Sequence, residues 1–218
     1  MGALHEWDSK ISLRIHEWGL KVPRAFLQAL EYSGDGLFWI PATGAMCWAP
    51  AFTLQDFVKG LLIGFMLDLL FIGSLKALFR RPRPVYNKGM YLVVSLDHYS
   101  FPSGHASRAF TILIFVLKYA SDWKDTVSQM VGVDELGLIG YYFVPFLFAS
   151  WAVATASSRI FLGRHFLLDV VVGSLLGILE AWFVINYLLD VRFFLDDQQR
   201  RVLEYGQQFK KAMLNFRL

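Results

Sequence analysis

The run from Leu136 to Ser158 contains no charged residue, and that feature alone decides which solvent this chain can fold in. A helix needs about 20 predominantly apolar residues to cross the hydrocarbon core of a bilayer. Four further stretches approach that length. Leu37–Leu54 is uncharged, with kinks expected at Pro41 and Pro50. Phe57–Phe79 is interrupted by Lys59, Asp68 and Lys76; Ala106–Tyr119 is shorter, with Arg108 near its start; Phe166–Leu189 carries Asp169 and Glu180. Backbone polar groups in lipid must pair within the chain, so each run is expected to be a helix.

Composition points the same way. Of 218 residues, 56% are hydrophobic and 18% charged, and the mean hydropathy is +0.43. A soluble domain carries nearer a quarter of its residues charged. The expected fold is all-α, a polytopic transmembrane bundle of five spans. Before the first span, Asp8 and Ser9 are positioned to cap a helix bearing Ile11, Ile15 and Trp18, and Pro23 suits the first turn of another that ends near Gly34. Both read as interfacial helices anchored by Trp7 and Trp18; a sixth, poorly formed span is the competing reading. Glu6, Asp8 and Glu17 break the apolar run that a signal peptide would need. The expected organisation is therefore interfacial helices over 1–36, a membrane domain over 37–190 and a surface tail over 191–218.

Two function classes fall away. A net charge of +3 is too small to imply nucleic acid, and no basic stripe interleaved with aromatics occurs. The single cysteine, Cys47, excludes an internal disulfide or a cysteine-based zinc site and reads as a core residue.

Five spans would bring the segments 80–105 and 157–166 to one side of the membrane, and three polar islands lie there. The first is Lys76 followed by Arg80, Arg81 and Arg83. Four cations are costly beside lipid; anchoring in anionic headgroups is the rival explanation. The second is Ser100-Phe101-Pro102-Ser103-Gly104-His105, running into an apolar helix. The free N–H groups and dipole of a helix start attract an anion. Ser103 adds a donor, Gly104 permits close approach and His105 sets a titratable ring beside it. The third is Ser158-Arg159, Gly163-Arg164-His165 and Asp169. Residues four apart share a helix face, so Asp169 can accept the ring N–H of His165 and leave the other nitrogen free to attack. A merely structural His–Asp bond would account for that pair but not for the arginines.

Together the islands hold the parts of a phosphoryl-transfer site. Lys76, Arg83 and Arg159 can surround phosphate oxygens, a task that other enzymes give to magnesium. His165 would attack, and His105 would protonate the leaving oxygen and then activate water. No carboxylate cluster stands ready for a divalent ion, so catalysis without metal or other cofactor is expected.

Lys76-x6-Arg83-Pro84, Pro102-Ser103-Gly104-His105 and Ser158-Arg159-x5-His165-x3-Asp169 resemble the three-part signature of the type 2 phosphatidic acid phosphatase superfamily. The resemblance implies a membrane phosphatase acting through a phosphohistidine. It makes His165 the nucleophile, His105 the acid/base and Asp169 the charge partner, with Lys76, Arg83, Ser103, Gly104 and Arg159 binding phosphate. Arg81-Pro82 offers a second register for the first part, but only Arg83 has the family spacing. The run Ser95-Leu96-Asp97-His98-Tyr99-Ser100 and the small size are similar to the branch of polyisoprenoid (presqualene) diphosphate phosphatases and plant lipid phosphate phosphatases. His98 reads as a surface residue.

The implied partner is a lipid phosphate; phosphatidate, a sphingoid phosphate and an isoprenoid diphosphate all fit. The family implies an endoplasmic reticulum membrane, with a plastid membrane as the alternative, and oligomeric state is left open. Rival readings are a vanadate-dependent peroxidase-like activity on the same residues and a non-catalytic phospholipid-binding scaffold. A transporter fits less well, because most ionisable residues cluster at one face. Mid-span Asp68 and Glu180 read as interhelical contacts rather than as a headgroup or proton-linked site.

Overall fold

The computed structural model describes residues 2–47, 55–86 and 98–189. Eight helices run through them: α1 Gly2–Gly19, α2 Arg24–Ser33, α3 Gly36–Cys47, α4 Gln55–Phe79, α5 Gly104–Lys118, α6 Ala120–Val131, α7 Asp134–Phe161 and α8 Leu167–Phe183. The first compact unit, Met1–Trp182, contains nearly all of this. The second begins at Phe183, and its described part is a π-helical turn, Val184–Leu188.

Among the described residues, three stretches are long and apolar enough to cross a membrane: Asp56–Phe79, Gly140–Phe161 and Leu167–Leu188. They correspond to the second, fourth and fifth expected spans. The first expected span is helical as α3, with its remainder, 48–54, outside the described residues. The third is the 15-residue α5, about 22 Å long at 1.5 Å per residue and so shorter than the roughly 30 Å core. The expected tail over 191–218 also lies outside the described residues.

Short α5 is the buried axis of the bundle. Ala106, Ala109, Ile112, Phe115 and Val116 are all essentially inaccessible, and the helix packs against α4 and α7. Its approach to α8 depends on Gly173 and Gly177, four residues apart. A Cβ at Gly177 would stand 2.0 Å from the Ser107 carbonyl oxygen, and one at Gly173 would stand 2.4 Å from that of Ser103. Lipid is as apolar as a side chain, so burial alone gives membrane helices little reason to associate; close backbone contact and interhelical hydrogen bonds supply it. Here Thr111 Oγ1 donates to the Gly177 carbonyl at 3.1 Å. Asp68 and Glu180 join the same seam. Asp68 accepts from Arg108 Nη1 at 2.8 Å, and Glu180 Oε2 lies 3.5 Å from Ser107 Oγ, so both make interhelical contacts.

The N-terminus departs from expectation. Helix α1 begins at Gly2, which leaves Asp8 inside it rather than at its cap. Asp8 and Ser12 are fully buried, while Trp7 and Trp18 are exposed, so the inward face carries two polar side chains. The inward face caps a different helix: Leu167 N–H donates to Ser12 Oγ at 2.8 Å and Leu168 N–H to Asp8 Oδ1 at 3.1 Å. The first N–H groups of α8 have no partner of their own, and a helix 155 residues upstream provides it. Helix α6, which the hydropathy pattern did not mark, folds back on α7 through Gly132 at φ +72.

Candidate active site

Helix α4 ends at Phe79, and Arg80 follows at φ +45. That left-handed residue turns the chain so that Arg81 and Arg83 point back at the bundle. The following strand-like segment is pinned by Ser100, whose N–H donates to the Arg81 carbonyl at 2.8 Å and whose Oγ donates to that of Pro82 at 3.0 Å. The neighbouring helix ends supply the rest: the start of α5 brings Ser103, Gly104 and His105, the end of α7 brings Arg159, and the α7–α8 turn brings His165.

His165 is 2% exposed. Its Nδ1 lies 2.7 Å from the Ser100 carbonyl oxygen. A carbonyl only accepts, so Nδ1 carries the proton and the neutral ring presents an unprotonated Nε2. Arg83 Nη1 reaches that atom at 3.3 Å while donating to the Arg164 carbonyl at 2.7 Å. Arg83 therefore faces the ring, as its spacing from Lys76 suggested. Arg81, in the competing register, is taken by carboxylates: it donates to Asp169 at 2.7 Å and Asp8 at 2.6 Å and lies over the Phe166 ring.

The hydrogen bond expected between His165 and Asp169 does not form. The nearest Asp169 oxygen is 3.8 Å from Nδ1, because that nitrogen is committed to Ser100. Asp169 accepts instead from Arg81 and from the Phe166 N–H, the latter at 2.8 Å, which caps α8 locally. It remains a buried carboxyl group beside the ring.

The other expected residues gather around the same point. Arg159 is fully buried; its Nη1 lies 2.8 Å from Glu31 Oε1, while Nε and Nη2 make no hydrogen bond. Ser103 Oγ and His105 Nε2 are buried without a hydrogen-bond partner. At Gly104 a Cβ would come within 3.2 Å of both Nη atoms of Arg108. Lys76 is 7% exposed at the last turn of α4. Both histidines, which lie outside the three spanning helices, are pushed well below the usual imidazole range. Burial is the main cause in each, and Lys76, Arg83 and Arg159 repel a proton on both rings. The same three cations therefore act on both rings, and such convergence of perturbed groups characterises functional sites.

Several of its residues carry no motif. Glu31 on α2 pairs with Arg159 and with Arg164 Nε at 3.2 Å. Burial alone would raise its carboxyl, but the two guanidinium groups hold it below the ordinary range. Asp35, Asp8 and the Ser100 carbonyl are equally unmarked: acids in a surface helix and a backbone oxygen leave no spacing to find.

A family model described as the PAP2 superfamily matches residues 57–193. A probable lipid phosphate phosphatase beta of Arabidopsis thaliana is 37% identical over 200 residues, covering 86% of this chain and 92% of that protein. The crystal structure of Aquifex aeolicus LpxE superposes with a TM-score of 0.57 at 25% identity, over 80% of this chain and 94% of that one. That of the first transmembrane PAP2 type phosphatidylglycerolphosphate phosphatase from Bacillus subtilis, 21% identical, shares the fold at a TM-score of 0.63 over 86% and 87%.

Proposed function

Since this chain belongs to the PAP2 superfamily, we propose that it is an integral membrane phosphatase that hydrolyses a lipid phosphate through a phosphohistidine on His165, without a metal ion. The observation that carries this reading is the ring of His165, with Nδ1 held by Ser100 and Nε2 facing Arg83. A neutral imidazole with its attacking nitrogen aimed into a cationic pocket is prepared for phosphorus. Lys76, Arg83 and Arg159, with the Ser103 hydroxyl and the start of α5, bind the phosphate oxygens and spread the transition-state charge.

Nε2 attacks phosphorus, the bond to the lipid oxygen breaks, and His105 gives that oxygen its proton. Water then attacks the phosphohistidine and passes a proton to His105, the P–N bond breaks, and inorganic phosphate leaves. The repulsion that keeps His105 neutral in the empty site comes partly from Arg159, Arg108, Lys76 and Arg83. A bound phosphate dianion offsets those charges, so His105 takes up a proton as substrate binds. Asp169, 3.8 Å from Nδ1, stabilises the positive ring that forms on His165.

Substrates are phosphate monoesters of lipids and isoprenoid diphosphates, as the Arabidopsis relative's name and the branch resemblance suggest. Purified protein in detergent with EDTA should release phosphate from a panel of them, and acid-free quenching with labelled substrate should trap label in a base-stable, acid-labile bond. His165→Ala should lose both label and turnover; full turnover in that variant rejects the nucleophile. Residence in the endoplasmic reticulum is proposed too, checked by co-fractionation with markers of that membrane and of plastids.

A further inference from the structure

Every strongly basic group that faces His105 raises the cost of protonating it. Lys76 comes from α4, Arg83 from the segment after it, Arg108 from α5 itself and Arg159 from α7. His165 lies on the same pocket. Against these stands a carboxylate from the corner between α2 and α3. Asp35 accepts the Leu37 N–H at 2.9 Å through Oδ1, which caps α3. That leaves Oδ2, 3.8 Å from His105 Nε2, an atom that is buried and otherwise unpartnered. Glu31, one turn earlier, is occupied by Arg159 and Arg164.

The corner is firmly seated. Trp39 Nε1 donates to the Ser33 carbonyl at 2.6 Å, and Trp151 Nε1 on α7 to Ser33 Oγ at 2.9 Å. A Cβ on Gly34 would meet Thr155 Cγ2 at 2.6 Å and His105 Cδ2 at 3.6 Å, so only glycine lets the corner close over the ring.

We propose that Asp35 is the positioning residue of His105: its carboxylate orients the ring and balances the imidazolium that forms when phosphate enters the pocket. An ion pair at this range acts on the charge of the ring, whichever nitrogen hands over the proton, and such contacts commonly tighten once substrate is bound. The inference rests on the reading of His105 as leaving-group acid.

The test compares two leaving groups in the full chain in detergent. A short-chain phosphatidate has a poor alkoxide leaving group and needs an acid; 4-nitrophenyl phosphate does not. Single-turnover release of the alcohol or phenol reports the first step alone. His105→Ala should slow release from phosphatidate by about 10²–10⁴-fold and from the aryl ester far less. Asp35→Asn keeps the cap oxygen for Leu37 and removes only charge. It should show the same asymmetry at about tenfold, with Asp35→Glu restoring most of the rate; Asp35→Ser, also a good cap, serves if the Asn variant melts early. Equal losses on both substrates in the Asp35 variants, or no loss, overturn the inference while leaving His105 its role. Equal losses in His105→Ala overturn the acid role and the inference together.

Discussion

The contact between α5 and α8 is the joint on which the site geometry turns, and Gly177→Ala tests it. The added Cβ would stand 2.0 Å from a backbone oxygen, that of Ser107, where ordinary contact begins at 3.4 Å. No flexible side chain is there to give way, so the helices must part by about 1.4 Å, the difference between those two distances. Overpacking of this kind costs about 1–3 kcal/mol, and the Thr111–Gly177 hydrogen bond adds about 1 kcal/mol if it is lost. Catalysis should suffer more. Helix α5 opens with Ser103, Gly104 and His105, and α8 follows directly on His165. Parting the helices shifts one set against the other, and a misplacement of about 1 Å costs on the order of 100-fold. The expected outcome is a roughly 100-fold fall in kcat/KM for lipid phosphate release, with folded protein still recoverable in detergent. Gly44→Ala, where the new Cβ meets nothing within 4 Å, should be silent. Activity within twofold of the unmodified protein in Gly177→Ala would refute the idea that this joint sets the distance between the two histidines.

Other outcomes follow from the same contacts. Asp169→Asn should lower turnover only about tenfold, because the Ser100 carbonyl holds the tautomer; a loss near the 10⁴-fold typical of a tautomer error would show that Asp169 holds it instead. Asp8→Ala removes a cap from α8 and a partner from buried Arg81, so thermal unfolding should move down by the equivalent of about 1–2 kcal/mol for the cap alone; an unchanged midpoint would count against trans-capping. Both histidines bind protons less readily folded than unfolded. Stability should therefore be intact above about pH 6.5 and decline as pH falls below it, a decline that orthovanadate reduces; a midpoint that rises on acidification would contradict both shifts. Arg83→Lys keeps the charge but not the planar, multi-donor guanidinium whose Nη1 meets both His165 and the Arg164 carbonyl, and should cost at least tenfold in kcat because a lysine cannot bond phosphate oxygens in the same planar geometry.

Much of this protein can be read from the chain because its signals are local. An uncharged run such as Leu136–Ser158 has to be a helix in lipid. The spacing of four residues kept His165 and Asp169 near each other, but His165 stands in the turn before α8 rather than on the helix itself. The motif spacing singled out Arg83, which meets the His165 ring, while Arg81 meets Asp169 and Asp8. What the chain order could not specify is which partner each polar group takes once several compete. His165 Nδ1 had a carboxylate four residues on and a backbone carbonyl 65 residues back, and the fold chose the carbonyl because Arg81 and the Phe166 N–H hold Asp169. Asp8 looked like the cap of its own helix and caps α8. Glu31 and Asp35 belong to no motif and stand against Arg159 and His105. Hydrophobic periodicity acts over one or two turns and is written in residue type, so the sequence alone determined the long apolar helices and the motif-bearing residues, though not α6 or the start of α1. Hydrogen bonds and ion pairs between distant segments depend on distances of a few tenths of an ångström, which only the packing of α1, α2, α5 and α8 around the pocket decided.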